Sequence, residues 1–147
     1  MSPSQGNPGA TIQPLRMTRQ RYSVLEQLRT SGGFQSAQQI HADLAASGVQ
    51  IGLATVYRSL TALSASHEID ILKTADGETL YRHCATQKHH HHLVCRQCGT
   101  AKEISGPSLE NFLAGVAKNN EFFDLEHVIE IWGTCYECRN QQIDAAA

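Results

Sequence analysis

The sequence predicts an α+β chain of two units: an N-terminal winged helix-turn-helix domain followed by a C-terminal α/β domain assembled around paired cysteines. Three observations carry this. Three segments between Thr18 and Leu63 place apolar residues at helical spacing. Two alternating segments, "EIDILK" and "ETLYRH", then flank Asp76-Gly77. Beyond residue 84 two Cys-x-x-Cys pairs stand among strand-like segments and one further helix.

Taken in order, residues 1–15 read as a flexible tail punctuated by Pro3, Pro8 and Pro14. Thr18 is a good N-cap for a first helix that carries Tyr22, Leu25 and Leu28 on its buried stripe and stops at Gly32-Gly33. Ser36 and Gln39 have the form of a capping box for a second helix, which buries Ala37, Ile40 and Leu44 and ends before Gly48. His41 follows Ala37 by one turn and reads as a packed or rim histidine rather than a ligand. In "IGLATVYRSLTAL" the apolar Leu53, Val56, Leu60 and Leu63 share one face, leaving Ala54, Tyr57, Arg58 and Thr61 on the other. Small, aromatic and cationic groups on an exposed second helix suit entry into a major groove. Asp76-Gly77 then signals a hairpin turn, and three helices followed by a hairpin make a winged helix.

In the second half, "HHLVC" and "AKEIS" flank a glycine knuckle at Gly99. Pro107 opens a helix with Leu109, Phe112, Leu113 and Val116, and "HVIEIWG" alternates as a further strand. A unit this small buries little core alone, so a metal or a dimer interface is expected to supply the missing stability.

Composition excludes several classes. With 41% hydrophobic residues in 147, the chain can build real cores. No apolar run reaches the roughly 18 residues a membrane span needs, and residues 1–14 lack the apolar block of a secretion signal, so the cytoplasm is the expected compartment. The formal net charge of −2 argues against a nonspecific polyanion binder. Residues 1–83 nevertheless hold 7 Lys+Arg against 6 Asp+Glu, while 84–147 hold 5 against 8. Arg16, Arg19, Arg21 and Arg29 crowd one short segment, a modest basic footprint on the first unit.

The cysteines and histidines carry the chemistry. Cys95, Cys98, Cys135 and Cys138 form two Cys-x-x-Cys pairs, a four-thiolate set suited to a closed structural zinc. His89 to His92 run directly into the strand that ends at Cys95. Strand alternation sends His89 and His91 to one face and His90 and His92 to the other, so each pair can supply half of a separate site. Asp70, Cys84, Glu110 and His127 are the candidates for the remaining ligands, and spacing does not assign them to faces. A site using Cys84 would be soft enough to favour zinc over iron or manganese.

These motifs together, "TRQR" at 18–21, "TVYRSL" at 55–60, the histidine pairs running into "CRQC", and "CYEC", resemble the ferric uptake regulator family and its zinc uptake regulator branch over nearly the whole chain. The resemblance implies a DNA-binding winged helix over 16–84, a hinge at 85–88, an α/β dimerisation and metal-sensing domain over 89–140, and a tail at 141–147. It also implies up to three zinc ions per subunit. The four cysteines would hold the structural one, Asp70, Cys84, His90 and His92 a regulatory one at the hinge, and His89, His91, Glu110 and His127 a second sensory one. Tyr57 and Arg58 would meet bases or phosphates and Arg19 the backbone of an inverted-repeat operator, bound by a zinc-loaded homodimer that represses zinc uptake genes, with no small-molecule substrate and no membrane partner. Iron and peroxide sensors of the family commonly have a histidine ahead of the second helix, where this chain has Phe34. An apolar ring cannot ligate, which counts against those two specialities. A zinc enzyme is disfavoured because neither H-E-x-x-H nor H-x-E with P-C-x-x-C occurs. A zinc-buffering protein would have no need of a winged helix.

Overall fold

The computed structural model describes residues 14–84, 89–127 and 129–146; the expected hinge at 85–88 and nearly all of the expected N-terminal tail lie outside the described residues. The first unit runs α1 (Arg19–Ser31), β1 (Gln35–Ser36), α2 (Ala37–Ala46), α3 (Leu53–Ala65), β2 (Ile69–Lys73) and β3 (Thr79–His83). The second runs β4 (His91–Cys95), β5 (Ala101–Ile104), α4 (Pro107–Asn119), β6 (Glu130–Gly133) and α5 (Tyr136–Ala146).

Local chemistry fixes the helix ends. The Thr18 side chain accepts from the amide of Arg21, and Gly32 closes α1 in the left-handed conformation at φ 68°. The Ser36 hydroxyl accepts from the Gln39 amide at 3.1 Å while the Gln39 side chain accepts from the Ser36 amide at 2.9 Å, a reciprocal capping box. The three helices bury Val24, Leu25, Leu28, Ile40, Leu44, Val56, Leu60 and Leu63 in one core, closed below by Ile69 and Tyr81 of the hairpin. Truncating one of the fully buried leucines to alanine costs about 2–5 kcal/mol in such a setting. Tyr22, expected on that stripe, is exposed instead. The buried face of α1 turns through Val24, adjacent to Leu25, and this rotates Tyr22 outward.

The wing is antiparallel, with Asp70 opposite Arg82 and Ile71 opposite Tyr81, and β1 adds a third strand in the order β1-β3-β2. In the second unit β4 is central, antiparallel to β5 and parallel to β6. Helix α5 runs through residues 141–146 of the expected tail, and nothing beyond Cys138 in that helix is buried. Helix α4 has no buried residue; Phe112 on it is 65% exposed, and Phe122 and Phe123 after it are 67% and 85% exposed.

The two units touch through backbone. Phe34 donates its amide to the Gly99 carbonyl at 3.1 Å, and Gly33 bridges Thr100. Phe34, 4% exposed, is buried with Leu72, Val94 and Ala101, and Leu80 and Trp132 pack against that cluster, so the cluster draws on both units. A Cβ on Gly99, whose φ is +75°, would lie 2.7 Å from the Phe34 carbonyl oxygen; Gly48, at φ +85°, faces open space. Both positions favour glycine by about 1–2 kcal/mol for conformation alone. Gly48→Ala is therefore expected to lower stability by about 1 kcal/mol and Gly99→Ala by about 3 kcal/mol, since only the latter also drives backbone into backbone. Thermal unfolding of the two variants side by side checks the difference.

Candidate metal centres and DNA-reading surface

Four sulfurs converge where β4 ends and α5 begins. Cys95 closes β4, Cys98 follows in the Gly99 knuckle, and Cys138 sits in the first turn of α5 behind Cys135. Cys98 Sγ and Cys135 Sγ are 3.7 Å apart. Two thiolates on one tetrahedral zinc at about 2.3 Å each stand about 3.8 Å apart, so the spacing fits. The Cys135 amide donates to Cys95 Sγ at 3.3 Å, and such backbone amides hold the Cys95 thiol down at about 6. Its neighbour Cys135, reinforced by burial, pushes Cys138 up to about 12. Four adjacent sulfurs cannot all ionise unaided, and a dication among them removes that conflict.

The histidine run divides by face. His89 and His91 stand together with ring centroids 4.8 Å apart, as do His90 and His92. On the first face His91 Nε2 is 2.8 Å from Glu110 Oε1, His127 Nε2 is 3.2 Å from the same oxygen, and His89 Nε2 is 3.1 Å from His127 Nε2. Glu110 comes from the first turn of α4 opened by Pro107, and His127 from the segment leading to β6. Hydrogen bonding from His91 lowers the Glu110 carboxyl below the usual range. Nitrogen and oxygen ligands on a tetrahedral zinc at about 2.0–2.1 Å stand about 3.3 Å apart, close to these separations. Every donor of this cluster belongs to the second unit.

The opposite face reaches across to the wing. Asp70 Oδ2 lies 3.0 Å from His90 Nε2 and 2.9 Å from His92 Nε2, and Cys84 Sγ lies 3.8 Å from His90 Nε2. Burial pushes the Asp70 carboxyl up, but the bonds and charges of His92 and His90 outweigh it and bring it down to about 2. The donor atoms that converge within 4.8 Å of one another are those of Asp70, Cys84, His90 and Glu103. Glu103 is absent from the sequence-based set. It faces His92 across the β4–β5 ladder, so strand alternation in "AKEIS" could have placed it on this face. The residues on all three clusters fit zinc: four thiolates, three imidazoles with a carboxylate, and a thiolate, carboxylate and imidazole mixture. His41, half-buried on α2, lies in none of them.

In the first unit, Ala54, Tyr57, Arg58 and Thr61 are exposed along α3. Gln38 of α2 donates to the Tyr57 hydroxyl at 3.1 Å, and Arg58 donates to Thr55 Oγ1 at 3.0 Å. Arg19 is exposed at the start of α1. Arg21 donates to the Arg16 carbonyl and so pins the entry to that helix. A cationic, aromatic and amide-bearing face of this kind has the groups needed to contact base edges and phosphates.

Comparison with known proteins agrees with this geometry. Residues 13–132 match the model of the ferric uptake regulator family. The chain is 45% identical over 126 residues to the zinc uptake regulation protein of Mycobacterium tuberculosis, covering 86% of this chain and 96% of that one. Among solved structures, the Vibrio cholerae ferric uptake regulator superposes with a TM-score of 0.66 at 30% identity, over 82% of this chain and 92% of that one. A zinc uptake regulator solved in complex with zinc and DNA gives 0.64 at 27% identity, over 87% and 86%. The chain belongs to the ferric uptake regulator family.

Proposed function

We propose that the protein is a zinc-responsive transcriptional repressor, which binds inverted-repeat operator DNA as a zinc-loaded homodimer in the cytoplasm and controls zinc uptake genes. The observation that carries this reading is the meeting of Asp70, on the wing strand β2, with both His90 and His92 of the second unit. Donors from the two units thus share one cluster at the hinge. Asp70, Cys84, His90 and His92 are the proposed regulatory set, and His89, His91, Glu110 and His127 the proposed second sensory set. Cys95, Cys98, Cys135 and Cys138 are the proposed structural set. Similarity to proteins named as zinc uptake regulators, and Phe34 where a ligand histidine would serve an iron sensor, support zinc as the effector.

Bound zinc would supply one dication bonded at once to wing and second-unit donors. The chain's own residues do the rest. Asp70 and Cys84 fix the wing; His90 and His92 fix β4; the angle between the units follows. In a symmetric dimer that angle sets the distance between the two α3 helices, which must approach one DNA turn, roughly 34 Å, for paired half-sites. A decisive shift needs about 5 kcal/mol of preference for the closed arrangement, within reach of several ligand bonds. The exposed apolar side chains Phe112, Phe122 and Phe123 of the second unit support a dimer seam there. Tyr57 and Arg58 are the proposed groove contacts and Arg19 a phosphate contact.

A gel shift on inverted-repeat DNA tests the reading: retardation should require zinc and vanish on chelation, whereas zinc-independent binding would overturn it. Arg58→Ala should weaken specific binding by about 1–3 kcal/mol without altering zinc content or dimer mass. His90→Ala and His92→Ala should lose the same zinc equivalent and most zinc-dependent DNA binding. His89→Ala, His91→Ala and His127→Ala should lose a different equivalent and only grade the response. Metal analysis with zinc-titrated binding curves separates the groups. Cys95→Ser should unfold the second unit, because structural zinc contributes on the order of 10 kcal/mol in small domains; a stable, metal-poor dimer would contradict it.

A further inference from the structure

The hinge cluster holds one acid more than its proposed ligand set uses. Glu103 brings an oxygen within 4.8 Å of the donor atoms of Asp70, Cys84 and His90. The same carboxylate accepts from Arg82 at 2.9 Å, between side chains only 16% and 23% exposed. The two ladders explain the arrangement. Arg82 stands opposite Asp70 in the wing sheet, and Glu103 stands opposite His92 in the second sheet. Where the sheets meet, Asp70 pairs with His92 and Arg82 pairs with Glu103. The Arg82 Nε further donates to the Gly32 carbonyl at 3.4 Å, which aims the guanidinium.

We propose that Arg82 is a metal-selectivity residue of the hinge site, acting through Glu103 and touching no metal itself. By holding the Glu103 carboxylate, Arg82 keeps the fifth donor out of the coordination shell and leaves a four-ligand set containing one thiolate. Zinc accepts four ligands in a tetrahedron, whereas manganese and other hard dications prefer six, largely oxygen. A guanidinium suits this role because it stays charged at every accessible pH and grips a carboxylate by directed hydrogen bonds. With Arg82 removed, Glu103 is released toward the ion and the site turns harder and of higher coordination number.

This rests on the hinge assignment above, and the test separates the two. The full-length protein, with its four-cysteine site left zinc-filled, is titrated with cobalt(II), and the visible bands that depend on Cys84 are followed; relative manganese(II) and zinc(II) affinities are measured by competition. Arg82→Gln is expected to weaken the intense four-coordinate bands several-fold and to raise the manganese-to-zinc affinity ratio at least tenfold. Arg82→Gln combined with Glu103→Gln should return both to the original values. Simple loss of positive charge would tighten both metals alike and leave the ratio and the spectrum unmoved. Glu103→Gln alone should leave the four-coordinate spectrum intact; if it abolishes the bands, Glu103 is already a ligand and the proposal falls. An unchanged spectrum and ratio in Arg82→Gln also overturns it. Should Cys84→Ser leave every cobalt band in place, the hinge assignment fails and selectivity by Arg82 fails with it.

Discussion

Successive side chains of a β-strand leave on opposite faces; β4 imposes this rule on His91 and His92, and His89 and His90 just ahead of it pair with them by the same alternation. Because β4 is the central strand, one face looks toward α4 and the approach to β6 while the other looks toward the wing. Four identical side chains thereby acquire two environments. His89 and His91 meet Glu110 and His127 within their own unit, whereas His90 and His92 meet Asp70 across the junction. The same strand ends in Cys95, so the knuckle, the inner cluster and the cluster facing the wing are three consequences of one backbone path.

The cluster that joins Asp70 to His90 and His92 and the Phe34 contact lie close together. The Phe34 ring meets the His92 ring edge-on with centroids 5.2 Å apart, and its amide is bonded to Gly99 of the knuckle. A residue of the DNA-binding unit therefore touches a proposed regulatory ligand and the loop of the cysteine cluster at once. The packing around Phe34 is apolar and joins the two units beside the Asp70, His90 and His92 donors.

Much of this was legible in residue order. Helix ends were announced by Thr18, by the Ser36–Gln39 pair and by Gly32, because caps are local chemistry. The hairpin was announced by Asp76-Gly77, and the division of the histidines by a period of two. What escaped was what packing decides. Tyr22 satisfied the helical spacing of α1, yet Val24 took the buried place. Strand β1 is two residues long and exists only because β3 offers it an edge. Helix α5 has a weakly amphipathic sequence after Cys138 and gave no apolar stripe to read. Asp70, Cys84, Glu110 and His127 were candidates without faces until the chain brought them together. Glu103 was hidden in a segment read only as a strand, since its importance lies in the pairing of β4 with β5 and of Arg82 with both.

The uniformity of the run from His89 to His92 has a cost of its own. In most strands a slip of one residue is punished at every position, because apolar and polar side chains exchange faces. Within a homopolymeric run the slipped strand still offers imidazole to both sides, so the histidines themselves give almost no protection against misregistration. Register must be enforced by the heterogeneous end of β4, where Val94 is 1% exposed and its neighbour Leu93 is 42% exposed, and where Cys95 has to arrive at the knuckle. Val94 and Cys95 thus act as the reading frame of the histidine clusters, and a polar residue at Val94 would remove the burial that tells one face from the other while leaving all four histidines in the sequence.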